Sequence, residues 1–155
     1  MQYEIATLSS PSVDAALAMH QEVVRTYERT WNAHTFDFEK HVGRFMAPDI
    51  SVVLLGAVDG RSLLRDISHA RADYIRGMQA KVTISGRARS VTHLGTAIVV
   101  TAECDYSFRY PDQTCETQRV ISSSAARLLD GNWVFQHIHF GSAVRPISDA
   151  CGIVA

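Results

Sequence analysis

The sequence predicts an α+β domain in which N-terminal helices pack on a strongly curved antiparallel sheet. Apolar residues in the first half recur at helical spacing, whereas the second half, from about residue 81, alternates with the period of an extended strand. Helices followed by strands indicate helices on one face of the sheet. Long strands twist and coil, so we expect a cone-shaped α+β barrel around the first helix, with an interior pocket at its open end.

Length and composition limit the classes of function that the chain can have. The chain has 155 residues, of which 46% are hydrophobic and 20% charged, with a net charge of -1. This indicates one globular domain over 1–155, with an N-terminal arm at 1–12 and a C-terminal tail at 144–155. The near-zero charge gives no reason to expect nucleic acid or a membrane surface as partner. Three scattered cysteines match no zinc or disulfide framework, which predicts a cytoplasmic protein.

The first helix is predicted to begin at Ser10 or Ser12 and to end near Ala33. Either serine can cap the helix, and Pro11 suits its first turn. One face of the helix carries an apolar stripe with a histidine and two aromatic residues in it. That stripe consists of Val13, Leu17, His20, Val24, Tyr27 and Trp31.

A second helix is expected from Thr35 to the residues before Pro48. A short strand over 50–58 follows and stops at the turn Asp59–Gly60. Ser62 is expected to cap a third helix, because a further apolar stripe follows it. The stripe consists of Leu63, Ile67, Ala70, Tyr74 and Met78.

Four long strands are predicted for the second half, over 81–93, 97–109, 115–128 and 133–143. The breaks between them read "HLGT", "YPDQ" and "LDGN". Each break contains glycine, proline or aspartate, which are the residues that tight hairpin turns favour. The prediction is therefore a four-stranded meander after the helices.

Two stretches resemble the SnoaL-like group of the nuclear transport factor 2-like superfamily, which includes ketosteroid isomerase. They read "YERTWNAHTFDFEKHVGRFMAPDISVVLLGAVDGRSLL" and "TQRVISSSAARLLDGNWVFQHIHFGS". The second stretch is also similar to the association domain of calcium/calmodulin-dependent kinase II. The resemblance implies the cone fold with a pocket, and it leaves both an enzyme and an association module open.

The carboxylates of ketosteroid isomerase have no counterpart in this sequence. Aligned on the resemblance, the base aspartate of those enzymes falls near Leu54 and the acid aspartate near Ser124. Neither residue is acidic. A carboxylate base with a protonated carboxyl in the oxyanion hole is therefore not expected.

The strongest candidates for catalysis are two histidines in "WVFQHIHFG". Read with a period of two, this strand puts His139 and His137 on one face with Trp133 and Phe135. In a pocket, His139 would act as general acid or base, helped by His137, and the two aromatic rings would bind substrate. The alternative is that both histidines are structural or lie at an interface between subunits, because one bulge reverses the alternation.

Three further residues complete the predicted site. Arg119 would bind a carboxylate or enolate, or instead form an ion pair across the hairpin. Tyr27 would donate its hydroxyl to a substrate oxygen, and Trp31 would line the pocket, although a Trp–Tyr pair at this spacing is common in cores. His20 is expected to be a hydrogen-bonded core histidine.

Two functions remain open from the sequence. The first is an enzyme that binds a small, largely apolar carbonyl or carboxylate compound and transfers a proton in an isomerisation, cyclisation or dehydration, without an organic cofactor. The second is a non-catalytic association or ligand-binding module. We expect no metal site, because His137 and His139 could find a third ligand only on other strands. Apolar residues on both sheet faces favour a homodimer or higher homo-oligomer.

Overall fold

Helices pack on one face of a six-stranded sheet in a computed structural model, which describes residues 10–54 and 57–142. This confirms the predicted α+β cone. No helix in these ranges is both long and apolar enough to cross a bilayer. The tail predicted at 144–155 and most of the arm predicted at 1–12 lie outside the described residues. The elements are α1 (Pro11–Asn32), α2 (Phe38–His41), a 3-10 turn (Gly43–Phe45), β1 (Met46–Leu54), β2 (Ala57–Asp59), α3 (Arg61–Gly77), β3 (Lys81–Leu94), β4 (Ala97–Arg109), β5 (Cys115–Leu129) and β6 (Asn132–Ser142).

The strand order is β2-β1-β6-β5-β4-β3, and all neighbours are antiparallel except β1 and β6, which are parallel. The predicted antiparallel meander is therefore present, and the short strand β1 adds to it through one parallel pairing. Asp130 and Gly131 have φ angles of 50° and 80° and close the β5–β6 hairpin as a type I′ turn. This turn fixes which residues of the two strands face each other.

The first helix begins as predicted. Ser10 is its N-cap, and its hydroxyl accepts a hydrogen bond of 3.2 Å from the Val13 amide, with Pro11 in the first turn. At the other end, the Asn32 side chain donates to the Val82 carbonyl at 2.8 Å and accepts from the Val82 amide at 2.9 Å. These two bonds fasten the C-terminal end of α1 to the start of β3.

The second helix is much shorter than predicted. It has 4 residues, begins after the N-cap Asp37, and gives way to a 3-10 turn at Gly43. The chain is already extended at Met46, so Ala47 and Pro48 lie in β1 and do not follow a helix. A proline disfavours helical angles at the residue before it, which agrees with the extended backbone of Ala47 in β1.

The buried face of α3 differs from the predicted stripe. Leu64, Ser68, Ala72 and Ile75 are buried, whereas Tyr74 and Met78 are 41% and 48% exposed. Ala70 is also exposed, Leu63 and Ile67 are half-buried, and Ser62 does not cap the helix, whose N-cap is Gly60. The predicted stripe was wrong by about one residue, because it was drawn through the large apolar residues whereas a serine and an alanine are part of the buried face.

Candidate functional site

A cavity of about 170 Å³ lies between α1, α3 and the inner face of the sheet. The described residues that line it include no aspartate, glutamate or lysine, and most are apolar. Such a cavity suits a small, largely hydrophobic molecule with a few polar groups to orient it. The helix α1 contributes His20, Val23, Val24, Tyr27 and Trp31 to the wall.

A bulge in β6 decides which of its side chains reach this cavity. Phe135 pairs with Ala126, and His137 pairs with Ala125, so Gln136 is an extra residue with no partner on β5. The Gln136 amide donates to the carbonyl and to the carboxylate of Asp49 on β1, both at 3.2 Å. The bulge is thereby held to the neighbouring strand, and the alternation of side chains changes face after it.

The two histidines of β6 therefore face away from the cavity. Phe135, Ile138 and Phe140 line the cavity, while His139 is exposed and His137 lies 3.1 Å (Nδ1 to Oγ) from Ser51 on β1. The prediction that both histidines share a face with Phe135 was wrong, because a period of two was read through the bulge. Their catalytic role has no support from this placement.

Trp133 and Arg119 also lie outside the cavity wall. The Trp133 ring is half-buried against the hydrophobic core. The Arg119 guanidinium is on the outer sheet face, where Nε and Nη2 donate to the two carboxylate oxygens of Asp105 at 2.8 and 3.0 Å. This paired geometry lowers the pKa of Asp105, and a second contact of 3.7 Å joins Arg119 to Glu103. The ion-pair alternative for Arg119 is thus the one observed.

The cavity does contain Tyr27 and Trp31, and both contact Ser68 of α3. The Tyr27 hydroxyl lies 2.9 Å from the Ser68 hydroxyl, and the Trp31 indole donates to the Ser68 carbonyl at 3.2 Å. Burial raises the pKa of Tyr27 to about 12, partly offset by the Ser68 hydrogen bond. Tyr27 is therefore a protonated phenol near neutral pH and can donate a hydrogen bond.

His20 is the titratable group near neutrality inside the cavity. Its ring meets the Phe135 ring edge-on at 5.8 Å between centroids, and no described residue forms a hydrogen bond with its nitrogens. Burial lowers the pKa of His20, which favours the neutral imidazole. The expectation that His20 is a hydrogen-bonded core histidine was wrong. The sequence did indicate that His20 shares a helix face with Tyr27 and Trp31, and this could have predicted its place in the cavity.

The two positions aligned with the isomerase carboxylates both line the cavity. Leu54 does so from β1, and Ser124 does so from β5. The cavity thus carries no carboxylate at either place. The Ser124 hydroxyl is buried, the residue being 3% exposed, and it has no hydrogen-bond partner among the described residues. A buried polar atom without a partner is uncommon and draws attention to this part of the wall.

Sequence reasoning missed several polar residues of the wall, which include Arg71, Tyr106, Gln118 and Ser122. The Arg71 guanidinium stacks over the Phe108 ring at 5.2 Å from its centroid. Tyr106 lies on β4, and burial raises its pKa, which the nearby Arg71 charge partly offsets. Arg71 follows Ser68 at helical spacing, which is the signal that could have found it.

Within 10–54 and 57–142, no three side chains of histidine, cysteine, aspartate or glutamate are placed together to hold a metal ion. Glu103 and Asp105, two carboxylates of strand β4, are engaged by arginines. Arg89 donates to Glu103 through Nε at 2.6 Å, and Arg119 binds Asp105.

No family model and no curated protein matches the chain, but solved structures do. A candidate ketosteroid isomerase from Shewanella frigidimarina is similar, at 18% identity and a TM-score of 0.59, over 83% of this chain and 97% of that one. A nuclear transport factor 2-like protein from Cytophaga hutchinsonii has 14% identity and a TM-score of 0.58, over 87% and 100%. The calcium/calmodulin-dependent kinase II hub homology domain of Chlamydomonas reinhardtii has 15% identity and a TM-score of 0.64, over 85% and 98%.

At these identities the similarity concerns the fold and nothing finer. The chain therefore has the nuclear transport factor 2-like fold, as the resemblance in its sequence implied.

Proposed function

We propose that the chain is a small-molecule pocket protein that catalyses a cofactor-independent proton transfer on a largely apolar carbonyl compound, as in an isomerisation, cyclisation or dehydration. The observation that carries the proposal is a histidine in an apolar cavity whose described lining residues offer hydroxyl donors, include no carboxylate and leave the imidazole nitrogens without a hydrogen bond. The fold neighbour from Shewanella frigidimarina, a candidate ketosteroid isomerase, is compatible with this reaction class.

His20 takes the role of the base in this proposal, in place of His139 and His137. Because burial lowers its pKa, the imidazole is neutral near neutral pH and has a lone pair available for a proton from carbon. The contact with the edge of the Phe135 ring holds the imidazole at the wall. A neutral base in an apolar surrounding does not need to shed tightly bound solvent before it reacts.

Tyr27 takes the role of the donor to the developing oxyanion. When Ser68 donates to the Tyr27 oxygen, the phenol hydrogen is free to point at a substrate oxygen. His20 and Tyr27 are seven residues apart on one face of α1, which is about 10 Å along the helix axis. Their side chains can therefore reach two points of one small molecule, with the rings of Trp31 and Phe135 packing on its apolar part.

The test is hydrogen exchange into a panel of enolisable aryl ketones, followed by NMR in deuterated buffer. We expect the enzyme to accelerate exchange at the carbon next to the carbonyl, and His20→Gln to reduce this by about a hundredfold or more. His93→Gln is the matched control, because His93 is exposed on β3. No acceleration by the wild type, or equal rates for wild type and His20→Gln, would contradict the proposal.

A second candidate function, a homo-oligomeric association module, is favoured by the outer sheet face. Ile121 is 45% exposed near the middle of this face. On the adjacent strand β6, His139 is exposed on the same side. The hub homology domain among the fold neighbours is compatible with assembly through such a face. In this candidate His137, His139 and Arg119 act in subunit contact, and the cytoplasmic location expected from the sequence stays a prediction.

The two candidates are separated by changing the outer face alone. We expect Ile121→Glu to shift the mass measured by sedimentation toward the monomer while ketone exchange is retained. Val58→Glu, at a residue that is 74% exposed on β2, is the control and should leave the mass unchanged. A wild-type chain that sediments as a monomer at all concentrations would contradict the association module.

A further inference from the structure

Arg71 is a cation of the cavity wall that has no carboxylate partner among the described residues. Its guanidinium carbon lies over the Phe108 ring, 5.2 Å from the centroid, a cation–π contact that does not neutralise its charge. Six other arginines differ from Arg71, because each forms an ion pair with a carboxylate. Those arginines are Arg61, Arg65, Arg87, Arg89, Arg119 and Arg127.

Tyr106 adds a hydroxyl donor beside this charge. It lies on the inner face of β4, lines the cavity with Arg71, and its hydroxyl forms no hydrogen bond with a described residue. An arginine fork and a phenol directed at one region, with no acidic side chain in the wall, are suited to an anion. A carboxylate matches the planar fork of arginine better than a spherical anion does.

Ser124 supplies a third polar atom at a distance from the first two. Its cross-strand neighbours are Val100 and Ile138, so the orphaned hydroxyl is surrounded by hydrocarbon. On β5 it is six residues from Gln118, the strand partner of Tyr106. Six residues span about 20 Å of strand, shortened by the coiling of the sheet. The wall between the two polar regions is mainly apolar.

From this arrangement we infer that the cavity binds an elongated amphipathic carboxylic acid. Its carboxylate lies against Arg71 and Tyr106, its apolar body along Val120 and Phe140, and a hydroxyl or carbonyl oxygen at its far end against Ser124. This inference rests on the proposed function and names the substrate class of the same cavity. His20 lies on the α1 side of the cavity, where its imidazole would contact the carbon atoms of the ligand's apolar body.

The test uses a rigid hydroxyazobenzene carboxylic acid with its two polar groups at opposite ends. Its carboxamide lacks the charge, and the parent acid without the hydroxyl lacks the far oxygen. Binding is measured by calorimetry and by the absorbance of the azo group at low salt. We expect the wild type to bind the acid about tenfold more tightly than the carboxamide, and about fivefold more tightly than the acid without the hydroxyl.

Variants assign each preference to its residue. Arg71→Gln should bind the acid and the carboxamide equally, with carboxamide affinity unchanged, whereas Arg71→Lys should keep part of the preference. Ser124→Ala should lose only the preference for the hydroxyl. The matched control is Arg76→Gln, since Arg76 is exposed at the end of the same helix; it should bind like the wild type.

The outcomes distinguish the two proposals. Equal binding of acid and carboxamide by the wild type would overturn the carboxylate inference and leave the pocket proposal standing. The carboxylate inference would also be overturned if Arg71→Gln weakened the binding of acid and carboxamide equally, because Arg71 would then have a structural role. If correctly folded wild-type protein binds none of the three compounds, the pocket function falls and the inference with it.

Discussion

Two adjacent serines of β5 offer a test of the site, because their replacement is expected to change the free energy of unfolding in opposite directions. Ser123 faces the outside of the sheet, where its hydroxyl lies 3.3 Å from that of Thr101. Ser124 faces the cavity and its hydroxyl has no partner among the described residues. Replacement of either by alanine changes strand propensity equally, so the difference between the two variants isolates the hydrogen bonding.

The expected magnitudes follow from these environments. Burial of a hydroxyl without a hydrogen bond costs about 1–3 kcal/mol, so we expect Ser124→Ala to raise the free energy of unfolding by about 1 kcal/mol. Ser123→Ala removes a weak bond and should lower it by about 0.5–1 kcal/mol. In a domain of about 150 residues, 1 kcal/mol corresponds to a Tm change of roughly 2–4 °C.

The assay is urea unfolding followed by circular dichroism, with a thermal scan as a second measure. A rise for Ser124→Ala and a fall for Ser123→Ala would support a wall that keeps an unsatisfied donor for its ligand. If Ser124→Ala loses as much stability as Ser123→Ala, the Ser124 hydroxyl is hydrogen-bonded in solution. The reasoning from an orphaned hydroxyl to a ligand contact would then be refuted.

Three further predictions concern α1. Asn32→Ala removes both bonds to Val82 and should lower the free energy of unfolding by about 2 kcal/mol in urea; a loss below about 0.5 kcal/mol would show that these bonds do not fasten the helix. Tyr27→Phe removes the bond to the Ser68 hydroxyl and should lower the free energy of unfolding by about 1 kcal/mol in the same assay. An unchanged free energy of unfolding would show that this bond does not stabilise the fold. Because burial lowers the pKa of His20, the unfolded chain binds the extra proton first, so stability should fall as pH drops below the ordinary histidine pKa of about 6.5. His20→Gln should flatten that part of the profile measured by unfolding at several pH values, and an unchanged slope in the variant would assign the effect to another group.

The sequence predicted the elements well where local chemistry decides them. The Ser10 cap, the helix that follows it, and the Asp130–Gly131 hairpin each depend on residues next to one another in the chain. Tyr27, Trp31 and Phe135 were predicted in the cavity for a similar reason. The first two share a helix face, and Phe135 precedes the β6 bulge.

The remainder of the site depends on contacts between distant segments. No glycine or proline in the sequence around Gln136 indicates the β6 bulge. Gln136 is held there by hydrogen bonds to Asp49, which is distant in the chain. The buried face of α3 includes Ser68, which contacts Tyr27 and Trp31 of α1, so the stripe of large apolar residues did not reveal Arg71 as part of the wall. Arg119 found its carboxylate on the adjacent strand, a pairing that the sequence left open.

The bulge at Gln136 also makes the chemistry of the cavity sensitive to the register of one strand. Beyond this residue, each side chain of β6 occupies the face opposite to the one that plain alternation would give it. If Gln136 entered the ladder and the bulge were straightened, His137 and His139 would replace Ile138 and Phe140 in the wall, without any substitution on the strand; deletion of Gln136 would instead leave Ile138 and Phe140 in place. A lineage with this fold could thus exchange a hydrocarbon-lined interior for an imidazole-lined one by losing the contact of Gln136 with Asp49, while the outer surface acquired the opposite character in the same event.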